Sequence, residues 1–284
     1  MFKISSDNNG ITVKWNKQIL TRYNFQIDGY RPYWHPIRLP DSPVLTMNQP
    51  HDHVHHQGMW IAWKSVNGVN FWEQPKPNAN PEGYGKIIHK ELFECSSDSH
   101  SAQFITKNEW VDWKRTTHLV EERQTKIYTP ESKYMLMDIK IQLKPVDNDV
   151  ILDVKRGKPG GMGLFYSGLT IRFHNNLTPG KMLNSQDINE TSEIYGSKSS
   201  WCDFAGKNQE DNQVYGITIT DHPDNPRYPT PWWVRNTENY ALLQPCLCYN
   251  QPYKIPSNEK LILKYRIIIH REYVNKELIN NLSF

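Results

Sequence analysis

Four of the chain's eleven histidines, His51, His53, His55 and His56, fall within six residues of the segment HDHVHHQG at positions 51–58. The ordinary pKa of histidine lies nearest neutrality, so a pair of them supplies one acid and one base at physiological pH. His53, His55 and His56 are therefore candidate catalytic groups, and His51 is a candidate substrate contact. On an extended backbone His51, His53 and His55 share one face and His56 takes the other, with same-face Cα atoms about 6.5–7 Å apart. Two imidazoles at that spacing reach one metal ion at about 2.0–2.1 Å. A divalent metal on His51, His53 and His55 is permitted but not required, and nothing else in the sequence demands a cofactor. The cupin pattern, H-x-H and then a nearby Glu, fails here. Met59 and Trp60 stand where that carboxylate belongs, and the next Glu is Glu73.

Two other places carry unusual side chains. Asp221–Trp233 reads DHPDNPRYPTPWW. Asp221 and His222 form a second titratable pair, while Asn225 and Arg227 offer polar contacts to a substrate. Trp60, Trp232 and Trp233 are flat rings suited to stacking on a sugar face. The plainer reading is that four prolines stiffen a surface crossing. Arg172 stands inside the apolar run GLTIRF. It is either an edge residue or a buried anchor for an anion or hydroxyl. Glu73 is a further candidate substrate contact; the plain paired carboxylates of a standard glycosidase are lacking, and Glu73 with Asp221 is the one pair that could stand in for them.

The elements that must position these groups are mostly strands. Alternation marks Ile11–Trp15, Tyr23–Ile27, Met135–Leu143, Tyr215–Thr220 and Leu261–His270. Turn signals separate them at Asn9-Gly10, Asp28-Gly29, Asn67-Gly68, Pro159-Gly160-Gly161 and Pro179-Gly180. Only Tyr273–Leu282 has a helical pattern. Pro50 and Gly58 flank the histidines, so the segment enters its strand through an irregular bend that presents side chains to a cleft. Pro75–Gly85 reads as a loop beside that cleft, and Thr178–Gly206 as a second long irregular stretch. Many short strands with few helices predict one large antiparallel β-sandwich over residues 1–284.

Composition narrows the classes. The 33 Lys and Arg against 30 Asp and Glu give a net charge of +3 without a basic stripe, which argues against a nucleic-acid partner. No apolar run approaches the roughly 20 residues that span a bilayer. The opening MFKISSDNNG lacks the apolar core of a signal peptide, so a cytoplasmic protein with no membrane partner is expected. Cys95, Cys202, Cys246 and Cys248 read as small buried hydrophobes, with Cys246 and Cys248 on one face of a strand. Ten Trp and 15 Tyr in a chain of mean hydropathy −0.72 are divided between core packing and a lined groove.

The blocks RPYWHPIRLPDSPVLT, HDHVHHQGMWIAWKSVNGVNFWE, NEWVDW with VEER, GLFYSGLTIRF and ITDHPDNPRYPTPWWVR occur in this order over most of the chain. Together they resemble the PmoA-like domain-of-unknown-function family, often labelled methane oxygenase PmoA. One departure is visible: DVKRG at 153–157 has Arg156 where relatives carry a carboxylate, so no role of that carboxylate transfers. The label implies an oxygenase, whereas particulate methane oxygenase subunits are membrane-embedded and this chain has no spanning run. The family's usual setting implies carbohydrate metabolism, and its architecture resembles the galactose-mutarotase-type supersandwich. Such a fold raises the expectation of a sugar without fixing a reaction.

The expected function is a carbohydrate-active enzyme using histidine-centred acid/base chemistry on a small-molecule sugar or an oligosaccharide. Bond cleavage by a hydrolase or lyase is favoured over epimerisation. The competing readings are a non-catalytic glycan-binding protein and a metal-dependent enzyme.

Overall fold

The computed structural model of the chain describes residues 1–76, 78–155 and 165–284. The turn signal at Pro159-Gly160-Gly161 and the departure at Arg156 lie outside those residues. Where apolar and polar residues alternate, strands form. The run MLMDIKIQL lies in the strand Tyr134–Pro145, which buries Met135, Met137, Ile139, Ile141 and Leu143 on one face. Burying a side chain of this kind stabilises by roughly 1.5–3 kcal/mol. Gly10–Trp15, Val214–Asp221 and Leu261–Arg271 follow the same rule. The strand expected at Tyr23–Ile27 is instead Gln18–Asn24. The chain leaves it for a turn closed by Gly29 N donating to Gln26 O at 2.9 Å.

The strands form two eight-stranded sheets and a small three-stranded one. In spatial order the first sheet holds Phe2–Asp7, Gly10–Trp15, Gln18–Asn24, Tyr33–Ile37, Met59–Trp63, Ser167–Arg172, Tyr240–Pro245 and Trp232–Thr237. The second holds Lys181–Asn184, Trp201–Lys207, Val214–Asp221, Leu261–Arg271, Tyr134–Pro145, Thr117–Tyr128, Ser101–Asp112 and Gly85–Ser97. The chain is thus mainly β, and its named strands pair antiparallel. The only two α-helices among the described residues are Thr191–Ile194 and Lys276–Leu282. The second starts where the Asn275 side chain accepts from Leu278 N. The stretch Thr178–Gly206 is less irregular than expected. It contains the strand Lys181–Asn184, the short helix and most of Trp201–Lys207, each too short to show a period.

One apolar cluster joins residues of both large sheets, with Trp63 of the first against Trp110 of the second at 5.8 Å between ring centroids. Within it Glu121 and Arg123 are fully buried and paired, and Trp110 Nε1 donates to Glu121 Oε2 at 2.8 Å. Cys202, Cys246 and Cys248 are buried as expected, but Cys95 is exposed. Cys246 and Cys248 follow the strand Tyr240–Pro245 rather than sharing a face within it. No helix among the described residues is long and apolar enough to cross a membrane.

The first sheet's other face positions the candidate site. Arg235 faces Leu242, and Leu242 faces Arg172. One row further, Trp233 faces Gln244, whose Oε1 accepts from Thr170 Oγ1 at 3.1 Å, and Thr170 faces Trp60, which faces Tyr33. Alternation therefore sends Met59, Ile61 and Trp63 into the core and Trp60 to the opposite face.

Candidate functional site

The histidine segment is not extended. Gln49 N donates to His56 O at 2.7 Å, and Asn48 bridges Gln57, so the chain must reverse between them. It does so in two turns, closed by His53 N to Pro50 O at 3.0 Å and by His56 N to His53 O at 2.9 Å. The expected alternation is thereby overturned. His53, His55 and His56 converge, whereas His51 stays exposed at the tip.

The convergence is a stack. His53 lies on His56 with centroids 4.6 Å apart and planes at 13°, and His56 lies on the fully buried Trp60 at 5.1 Å and 25°. His55 meets His56 edge-on at 4.6 Å. Tyr240 flanks His53 at 5.3 Å and His56 at 5.9 Å, and the guanidinium of Arg172 lies 3.9 Å over the Tyr240 ring. Aromatic contacts continue from Trp60 to Trp72 at 5.3 Å, Tyr166 at 4.9 Å and Trp233 at 5.1 Å.

The loop is spliced into the sheet at its base. Met47 N donates to Arg172 O and Arg172 N donates to Gly58 O, both at 2.9 Å, and Gly58 N donates to Met47 O at 2.8 Å. Gly58 has φ +62°, and a Cβ there would lie 2.3 Å from Trp34 O, so the splice needs glycine.

Charge is arranged around the stack. Asp52 Oδ2 accepts from His53 Nδ1 at 2.7 Å and lies 3.5 Å from Arg172 Nη2. Burial pulls Asp52 up, but His53 and Arg172 outweigh it and hold the carboxyl below its usual range. With Nδ1–H given to Asp52, Nε2 is the basic nitrogen of His53. Lys64 and Asn70 bond Glu73, and together they overcome burial and keep that carboxyl low and ionised. Burial, helped by Arg31, lowers His55 to about 4, so it is neutral at pH 7. Burial and the neighbouring His55, His53 and Arg172 lower His56 further still. Arg31 holds the loop from below by donating to the carbonyls of His55 and Trp72.

His55 and Glu73 open onto a cleft of about 1210 Å³, with Gln49, Gln57, Tyr30 and Trp113 among its lining residues. The Pro75–Gly85 loop borders it, as its composition suggested: Pro75, Lys76 and Tyr84 line the same cleft. Among the described residues no group of three His, Cys, Asp or Glu side chains is placed to hold a metal ion.

The second expected pair lies elsewhere. Asp221 ends a strand of the second sheet and bonds Asn225 Nδ2 at 2.7 Å and Thr230 N at 3.0 Å. Asn225 in turn exchanges bonds with the backbone of Lys264, and Arg227 donates to the carbonyls of Leu247, Gln251 and Pro252. These side chains brace their own proline-rich loop. His222 packs on Phe284 and lines a separate hollow of about 400 Å³. Trp232 donates to Ser199 O, whereas Trp233 joins the aromatic row of the site. Among the described residues no hydrogen bond or ring contact joins Asp221, His222, Asn225 or Arg227 to the histidine stack. Arg172, between an edge and a buried anchor by sequence, is fully buried between two strands.

Sequence reasoning left Asp52, Arg31, Lys64, Trp72, Tyr166, Arg235 and Tyr240 unassigned. Alternation in MWIAWK puts Lys64 on the face of Trp60, and YALLQP puts Tyr240 on that of Gln244, so both carried a readable signal.

Comparison with known proteins adds three findings. DUF6807, described as a family of unknown function, matches residues 10–283. No curated protein matches the chain. Among solved structures, one named "putative mutarotase (YeaD)" from Salmonella typhimurium aligns with TM-score 0.47 and 9% identity over 96% of this chain and 94% of that one. Another, named "putative kojibiose phosphorylase from human microbiome", gives TM-score 0.35 and 9% identity, and this chain spans only 32% of it.

Proposed function

Because the chain belongs to DUF6807, a family of unknown function, its chemistry rests on the site itself, and we propose a carbohydrate-active enzyme working by histidine-centred acid/base catalysis. The observation that carries this reading is the Asp52–His53 hydrogen bond at 2.7 Å on a loop whose His55 lines the cleft. A carboxylate that takes Nδ1–H fixes the tautomer and makes Nε2 a general base, and it stabilises the imidazolium formed after proton transfer. His53 takes or returns the proton. Neutral His55 and ionised Glu73 orient hydroxyls in the cleft, and buried Arg172 stands behind the dyad as the ion-pair partner of Asp52. Tyr30, Tyr84 and Trp113 offer ring faces for stacking on sugars.

The cleft is roomier than the roughly 300–1,000 Å³ of ordinary small-ligand pockets. That size favours an oligosaccharide or glycoside over a lone ring, hence bond cleavage by a hydrolase or lyase over epimerisation. The carbohydrate setting implied by the PmoA-like motifs agrees with this reading. The same aromatic lining suits a second reading, a glycan-binding protein without turnover.

Incubation with a panel of oligosaccharides and aryl glycosides, followed by product analysis, tests the proposal. Turnover that disappears in His53→Ala and Asp52→Asn supports it. Binding without turnover, unchanged in both variants, assigns the protein to the glycan-binding reading. Turnover abolished by a chelator and restored by a divalent metal assigns it to metal-dependent chemistry.

A further inference from the structure

Trp113 stands apart from the other tryptophans of the chain. Eight of the ten are buried, and half-buried Trp15 is packed edge-on by Phe2 with ring centroids 4.8 Å apart. Trp113 is half-buried, lines the cleft that His55 and Glu73 also line, and has no aromatic ring against it among the described residues. Part of its indole packs on the apolar core, and the Lys114 ammonium lies 5.5 Å from the ring centroid. A large flat ring left open in a cleft is suited to stacking on a ligand.

The turn that presents this ring is braced. Asp112 Oδ1 accepts from Lys114 N at 2.8 Å and from Thr116 N at 2.9 Å, and its Oδ2 lies 3.1 Å from His118 Nε2. Arg115 N donates to Asp112 O and Asp112 N to Thr116 O, both at 3.0 Å, which closes the same turn. A platform held in this way has little left to order on binding. Backbone pairing also sets its distance from the acid/base groups. Asn70 Nδ2 bonds Glu73 Oε2 at 3.0 Å, Asn70 O accepts from Gly85 N at 2.9 Å, and Gly85 pairs with Asp112. Asn70 and Asp112 are thus two strand spacings apart, about 10 Å. Glu73 and Trp113 line one cleft from opposite sides of the Tyr84–Gly85 backbone, farther apart than a single sugar ring reaches.

Resting on the carbohydrate reading above, we propose that Trp113 is a distal stacking subsite, and that the ligand is a glycan chain long enough to cover it while another unit is held at His55 and Glu73. The ligand class thereby narrows from any sugar to an oligosaccharide, and Trp113 sets the chain length that the protein prefers. A monosaccharide held at Glu73 does not reach the ring. A longer chain does.

The test measures binding by calorimetry along the cello-, xylo-, malto- and laminari-oligosaccharide series, each from the monosaccharide to the hexasaccharide. In at least one series affinity should rise by about tenfold or more once the chain reaches Trp113, then level off. Trp113→Ala should flatten that rise, and Trp113→Phe, which keeps a ring, should retain part of it. Tryptophan fluorescence gives an independent reading. The emission change on binding the longer chains should be largely lost in Trp113→Phe while calorimetry still records binding, and this variant carries the test if Trp113→Ala does not fold. A length dependence that persists unchanged in Trp113→Ala overturns the subsite. Equal binding at every length overturns it as well and leaves the carbohydrate reading intact. No binding of any series overturns both.

Discussion

Asp52 and His53, neighbours in sequence, are hydrogen-bonded to each other through Oδ2 and Nδ1 at 2.7 Å, at the tip of a loop where most side chains face solvent. Such a bond decides which imidazole nitrogen carries the proton. Asp52→Asn should release the tautomer, and nitrogen-detected NMR of labelled histidine should show Nε2 gaining protonation. Turnover should fall by about 10²–10⁴ with KM little changed, and adding His53→Ala should lower it no further. An unchanged tautomer in Asp52→Asn would remove the dyad from the mechanism.

Glu73 owes its ionised state to Lys64 and Asn70 acting against burial. In Lys64→Met burial prevails and the carboxyl rises. The acidic limb of kcat/KM should then move to higher pH by about 1–3 units, the size of effect a close opposite charge exerts. A limb that stays in place would exclude Glu73 as the titrating group.

Stability should depend on pH through the histidines. Burial lowers both His35 and His55 to about 4 in the folded chain, against about 6.5 when unfolded. Between those values the unfolded chain binds more protons, so stability is present above about pH 6.5 and is lost as pH falls toward 4. Urea midpoints should drop steeply between pH 7 and pH 4.5. The drop should be shallower in His55→Gln, and equal slopes in the two proteins would contradict the assignment.

Gly58→Ala meets the Trp34 carbonyl and a left-handed backbone at once. A loss of at least about 1–3 kcal/mol is expected, read as a lower thermal midpoint. Activity should fall with it, because Gly58 closes the base of the histidine loop.

His222 lies away from the stack and packs on Phe284. His222→Gln should keep turnover and change stability by no more than about 0.5 kcal/mol. A loss of turnover in a folded His222→Gln would return this residue to the site.

How far the sequence could be read depended on the range of the forces involved. Alternation in Met135–Leu143 needs only neighbouring residues to be legible, and it mapped onto its strand with the expected buried face. The clustering of His53, His55 and His56 was legible as a locus. Its shape was not, because the reversal depends on where Asn48 and Gln57 find partners. The DHPDNPR loop drew attention for its chemistry, but that chemistry is spent on itself, in Asp221 to Asn225 and Arg227 to three carbonyls. Tyr240 comes from a strand far along the chain, and only the order of strands in the first sheet brings it to the histidines.

The splice at Met47, Gly58 and Arg172 has a consequence for how such a protein diversifies. Between the two anchored ends the backbone turns close on themselves, with Arg31 holding the His55 carbonyl from outside the loop, so the tip behaves as a cassette on a fixed socket. Residues within it can be exchanged without re-registering a strand, whereas Gly58 and the backbone of Arg172 form the socket and tolerate little change. New specificities can therefore arise by trading the tip while the sheet, and the buried guanidinium beneath it, are inherited intact.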